Sequence, residues 1–101
     1  MIERHVTFKV HEGKEETFAA FFQESYRPAM AKTPGFLRAE LLRPQEEPGR
    51  LMMVLRFDSP KAAAAWRASE AHERLKPELK SLYTSSELKL HAVLVPGEQT
   101  K

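Results

Sequence analysis

A chain of 101 residues, 42% of them apolar, is the size of one globular domain with a single core. Its 16 basic and 14 acidic residues leave a net charge of +2 and are interspersed, which argues against the basic stripe of a nucleic-acid binder. The absence of cysteine excludes disulfides, thiolate nucleophiles and cysteine metal sites together. The opening MIERHVTFKV carries charges early and no apolar run of signal-peptide length, and no run approaches the roughly 18 apolar residues of a membrane helix. A soluble, cytoplasmic protein is expected.

Along the chain, Ile2, Val6, Phe8 and Val10 share a face with Arg4, against Glu3, His5, Thr7 and Lys9, which is the alternation of a half-buried strand. After His11-Glu12-Gly13, the spacing of Phe18, Phe21, Phe22, Ser25 and Ala29 predicts an amphipathic helix from about Lys14 to Ala31, with Tyr26 on its rim and Pro28 bending or shortening it. Thr33-Pro34-Gly35 breaks the chain. Phe36 to Arg43 alternates as a second strand, with Leu37, Ala39 and Leu41 inward. A polar hairpin loop then leads to Leu51–Phe57, apolar on both faces as a central strand is. Ser59 and Pro60 start a second helix through four alanines, which Pro77 is expected to interrupt. Leu88 to Val95 alternates as the last strand.

Strand, helix, strand, strand, helix, strand predicts an α+β, ferredoxin-like βαββαβ fold, an antiparallel sheet with two helices on one face. A single domain over residues 1–96 and a polar tail over 97–101 are expected. Met52, Val54, Val93 and Val95 fall on the face opposite Leu51, Met53, Leu55 and Leu90. An uncovered apolar face asks for a cover, and a homodimer is the simplest.

The second helix carries the chemistry. At about 100° per residue, Trp66 and His72 lie roughly 120° apart on one helix, with Ala62, Ala65 and Ser69 between them. Small residues bracketed by an indole and an imidazole suggest a pocket wall. A plainer reading stays open: Trp66 as a core anchor and His72 as a solvated surface residue. Arg38 and Arg56 read first as salt-bridge partners of Glu40 or Asp58 across a sheet or dimer edge, and only second as site residues. His5, His11, His72 and His91 show no metal-ligand spacing, so no metal is expected.

Pro34-Gly35-Phe36 opening the second strand, Phe57-Asp58-Ser59 leading into the second helix, and Trp66-x-x-Ser69-x-x-His72 within it resemble the antibiotic biosynthesis monooxygenase family. The resemblance implies a dimeric α+β barrel, in which two ferredoxin-like sheets face each other. It also implies a cofactor-independent monooxygenase acting on a small aromatic, quinol-type molecule without metal, flavin or haem. His72 and Trp66 are then the candidate catalytic residues, and His5, Tyr26, Ala65, Ser69 and Arg38 the candidate substrate-binding residues. The family's haem-degrading branch uses an Asn on the first strand and a His ten residues after the Trp. Here the first strand has no Asn and the later position is Lys76, so that activity is not expected.

A non-catalytic small-ligand binder of the same fold is the alternative. RNA binding is set aside, because the third strand lacks the glycine and paired aromatics on which bases stack.

Overall fold

The computed structural model describes residues 1–97, so most of the tail expected over 97–101 lies outside the described residues. Its elements are β1 (Ile2–Val10), α1 (Glu15–Phe21), a π-helical turn (Phe22–Tyr26), α2 (Arg27–Met30), β2 (Phe36–Leu42), β3 (Arg50–Phe57), α3 (Pro60–Arg67), α4 (Glu70–Lys80) and β4 (Tyr83–Ala92). The sheet order is β2-β3-β1-β4 and every pairing is antiparallel, which is the ferredoxin-like α+β fold expected from the order of elements.

The helices cover one face. Arg4, Val6 and Phe8 of β1 stand opposite Leu55, Met53 and Leu51 of β3, and the apolar side chains among them pack with Phe18, Phe21, Phe22, Tyr26, Met30 and Trp66 in the core. Burial of this apolar surface, at about 25 cal/mol per Å², holds the helices to the sheet. The first helix does not bury the residues that an uninterrupted 3.6-residue spacing selects. Beyond Phe22 it is Tyr26 and Met30 that are buried, while Ser25 and Ala29 are half-buried. The wide turn is the reason: the Arg27 N–H bonds the Phe22 carbonyl, five residues back, and this shifts the inward stripe by one position. The turn lies directly before Pro28, which has no N–H to give to a regular ladder.

Gly35 joins two parts of the chain. Its φ is +88°, and a Cβ there would lie 2.5 Å from Asp58 Oδ1 and 2.6 Å from the Ala62 Cβ. The Gly35 carbonyl accepts from the Asp58 N–H at 2.8 Å. Pro34-Gly35-Phe36 and Phe57-Asp58-Ser59, separate in sequence, are therefore one packed corner.

Three boundaries differ from expectation. The second helix is two helices, broken between Arg67 and Glu70. Pro77 lies inside α4, which runs on to Lys80. The last strand begins at Tyr83 and ends at Ala92, so Val93 and Val95 lie beyond its end; the Val93 N–H bonds the Met1 carbonyl, and Val95 is exposed. The open face of the sheet is accordingly more polar than expected. Val54 is buried within the chain itself, and around it stand Glu3, His5, Thr7, Glu87 and Lys89. Arg56 pairs with Glu3 across β1 and β3, with Nε and Nη2 at 2.8 and 2.6 Å from Oε2, rather than with Asp58. The other Glu3 oxygen accepts from His5 Nε2 at 2.8 Å. No helix among the described residues is long and apolar enough to cross a membrane.

Candidate functional site

Ser59 caps α3, accepting from the Ala62 N–H at 3.1 Å, with Pro60 in the first turn. Eight residues later the helix stops, and Ser69 makes the junction. Its hydroxyl donates to the Trp66 carbonyl at 2.7 Å and accepts from the His72 N–H at 3.1 Å. One side chain thus ends α3 at Trp66 and caps α4 at His72. This gives Trp66-x-x-Ser69-x-x-His72 a physical meaning: the serine fixes the angle between the two helices that carry the rings. Trp66 and His72 stand on different helices, yet their rings meet edge to face, 5.2 Å apart at 85°. Tyr26, at the end of the π-helical turn, joins them, 5.4 Å from the Trp66 ring and 6.3 Å from that of His72.

These three rings form one wall of a cavity of about 330 Å³ between the helices and the sheet. The floor is apolar, with Val6, Phe8, Met53 and Leu55. That volume is at the lower end of the range for small-molecule sites, and away from the apolar floor the lining is polar, with Arg4, Arg67, His72, Lys76 and Lys80.

The polar groups of the cavity are unevenly satisfied. Arg4 projects from β1 into the helix-covered side, only 7% exposed, and its Nε has no hydrogen-bond partner among the described residues. Burial, and then the charge of Arg67, hold its guanidinium below the ordinary value. His72 Nδ1 is likewise buried without a partner. Burial lowers the imidazole's pKa, Arg67 adds to the effect and Glu73 opposes it, so His72 is neutral at neutral pH, the form that accepts a proton. Burial raises the Tyr26 phenol, with Trp66, Arg4 and Arg67 opposing. Among the described residues no three His, Asp or Glu side chains gather as a metal-ion site.

The residues singled out from the sequence divide by place. Trp66, His72 and Tyr26 line the cavity. Ala65 and Ser69 do not: they line a groove on the outer side of Trp66, with Ala29, Pro34 and Arg74. The helical-wheel grouping placed them between the two rings because it assumed one unbroken helix. His5 lies on the opposite face of the sheet, its ring 4.5 Å from that of His91. Arg38 is exposed on β2 and bonded to Glu40 at 2.6 Å, the salt bridge that was its plainer reading. Arg4 was not among the candidates, although a charge on the apolar face of β1 was its signal.

The family model of antibiotic biosynthesis monooxygenases matches residues 1–78. A search of curated proteins returns no match. Among solved structures, a variant of SnoaB, a cofactor-independent oxygenase of Streptomyces nogalater, superposes with a TM-score of 0.81 at 23% identity, covering 94% of each chain. A Nitrosomonas europaea protein named for the same family gives a TM-score of 0.81 at 18% identity, covering 94% of this chain and all (100%) of the other. A Shewanella oneidensis protein gives 0.77 at 25% identity, over 89% of this chain and 87% of that one. At these identities the structural likeness is one of fold; the family match spans most of the sequence. The chain belongs to the antibiotic biosynthesis monooxygenase family.

Proposed function

We propose that the protein is a cofactor-independent monooxygenase acting on a small phenol- or quinol-type aromatic in the cavity between sheet and helices. The observation that carries this reading is the meeting of Trp66 and His72 at one cavity whose polar groups, His72 Nδ1 and Arg4 Nε, are buried and unpaired. In the reaction the substrate supplies the electrons. The substrate loses its phenolic O–H hydrogen and the hydrogen of a ring C–H ortho or para to it; that carbon becomes a carbonyl with one oxygen atom of O2, and the other oxygen atom leaves as water with the two hydrogens.

Three tasks remain for the protein. His72, neutral by burial, takes the proton that turns the phenol into an electron-rich anion. The Trp66 indole N–H and the Arg4 guanidinium stabilise the negative charge as it forms, in a setting where water competes little. Val6, Phe8, Met53 and Leu55 hold the ring system. Activity as an oxygenase is what the SnoaB relative is described as having, and the proposal extends it to this chain through the family it belongs to.

The test is oxygen uptake with a naphthalene- or anthracene-type quinol, using isotopically labelled O2 to follow the incorporated atom. One labelled atom in the product and a loss of about 10²-fold on His72→Gln, the scale of general-base catalysis, are expected. Uptake that is unchanged in His72→Gln would overturn the assignment of the base. Tight binding with no uptake in the intact protein would instead favour the non-catalytic ligand binder.

The proposal includes a homodimer formed through the open face of the sheet. Leu42 is exposed there and Met52 half-buried, and the half-buried Glu3–Arg56 pair beside them would be shielded by a second sheet. A specific interface would bury more than about 1,000 Å². Light scattering that gives a monomer's mass at micromolar concentration would remove it.

A further inference from the structure

Among the described residues, no acidic side chain lines the cavity. Four cations do: Arg4, Arg67, Lys76 and Lys80. Of these, Arg4 is the buried one, and among the described residues it is paired with no carboxylate. Glu73 acts on His72 from outside the lining. A guanidinium taken out of water without a counter-charge is costly, and native structures retain one only where something compensates it. The neighbouring Arg67 makes the position worse rather than better, since its charge acts against that of Arg4.

We infer that the cavity selects an anionic aromatic: a ring system bearing a carboxylate that Arg4 binds from the sheet side. This deepens the proposed function and rests on it for the site, though not for turnover. The geometry divides the labour. Trp66, His72 and Tyr26 face the ring from the helices, and Arg4 stands on β1 opposite them as a planar fork suited to a carboxylate. Arg67 and Lys80, both exposed, and the half-buried Lys76 make the surroundings of the cavity positive. They raise the local concentration of an anion without contacting its reacting ring. A neutral quinol of the same shape would fill the apolar floor but give Arg4 no counter-charge until its own oxygen ionises.

Calorimetric titration of the full chain with two probes that cannot be oxidised, 2-naphthoate and 2-naphthamide, tests this. They share a ring system and differ in one charge. The naphthoate is expected to bind about ten- to a hundredfold more tightly, the scale of a hydrogen bond to a charged group. Arg4→Met should abolish that preference, lowering the naphthoate's affinity toward that of the amide. Arg67→Gln with Lys80→Gln should reduce the dependence of naphthoate affinity on salt. The comparison in the unaltered protein needs no variant to fold. Equal affinity for the two probes overturns the inference and leaves the cavity as a ligand site. Failure of both to bind overturns the cavity and the inference together. Naphthoate selected through Arg4, with no oxygen uptake from any quinol, sustains the inference and removes the oxygenase.

Discussion

Two arginines on neighbouring strands divide the molecule. Arg56 on β3 faces the open side of the sheet, opposite Glu3 in register, and both its Nε and Nη2 are bonded to that carboxylate. Arg4 on β1 is the next residue after Glu3, so it points to the other side, where the helices cover it and no carboxylate among the described residues meets it. The same residue type, one step apart in register, is a satisfied structural pair on one face and an unpaired charge beside a cavity on the other. What distinguishes them is the partner rather than the burial of the charge. A polar group that finds its complement within the chain has a structural account; one left without it, in a space large enough for a ligand, calls for an external one.

Substitutions on the two faces sharpen this division. Trp66 is 1% exposed and bridges the cavity and the outer groove. Trp66→Ala is expected to cost about 3–5 kcal/mol in denaturant unfolding, as deletion of a large buried aromatic does. A loss below about 1 kcal/mol would mean that the indole does not hold the helices to the sheet.

The next effect is kinetic. kcat/KM should rise with pH as His72 loses its proton, with an inflection below the ordinary histidine value of 6.5. His72→Gln should remove the inflection along with about 10²-fold of the rate. An inflection that survives the substitution belongs to another group.

On the open face, Glu3→Gln removes the charge that bonds both Arg56 and His5 and should cost about 1.5–3 kcal/mol, the range for hydrogen bonds to charged groups, reduced by whatever solvent reaches the pair. Affinity for 2-naphthoate should not change. His5, first, and Arg56 hold the Glu3 carboxyl below its ordinary 4.5, so the stability it contributes is present above pH 4.5 and is lost as pH falls through the lowered value. His72 acts in the same sense at higher pH. Its folded pKa lies below the unfolded 6.5, so acidification through 6.5 protonates the unfolded chain first and lowers stability. A naphthoate affinity that falls in Glu3→Gln would break the separation between the faces.

Ser69→Ala should cost about 1 kcal/mol, the usual loss of a helix N-cap, and should impair quinol turnover more than it impairs stability, because Trp66 and His72 lose their shared tether. The smallest effect is expected at Ala65. It is exposed on the outer groove, so Ala65→Leu should change stability by less than about 0.5 kcal/mol and leave ligand binding as it was. Loss of binding in that variant would return Ala65 to the ligand's surroundings.

The order of elements was legible in the sequence because strand alternation and helical spacing are local. So was the start of α3, where Ser59 and Pro60 need no distant partner to act as cap and first turn. Arg4 was visible too, as a charge on an apolar face, but periodicity cannot say whether a carboxylate will meet it. That depends on which strand lies alongside and in what register, and the register sends Glu3 to Arg56 and leaves Arg4 opposite Leu55. The break at Ser69 was likewise beyond local reading. A serine in mid-pattern serves equally well on a helix surface, and only the packing of α3 and α4 against the same sheet makes its hydroxyl end one helix and begin the next. The π-helical turn that brings Tyr26 inward has the same origin: an extra residue in one turn shifts every later side chain, and burial of aromatic surface against β1 and β3 decides which stripe is kept. Sequence determined which residues had the chemistry for a site. Tertiary structure decided which of them share one cavity, because burial and pairing are set by neighbours far away along the chain.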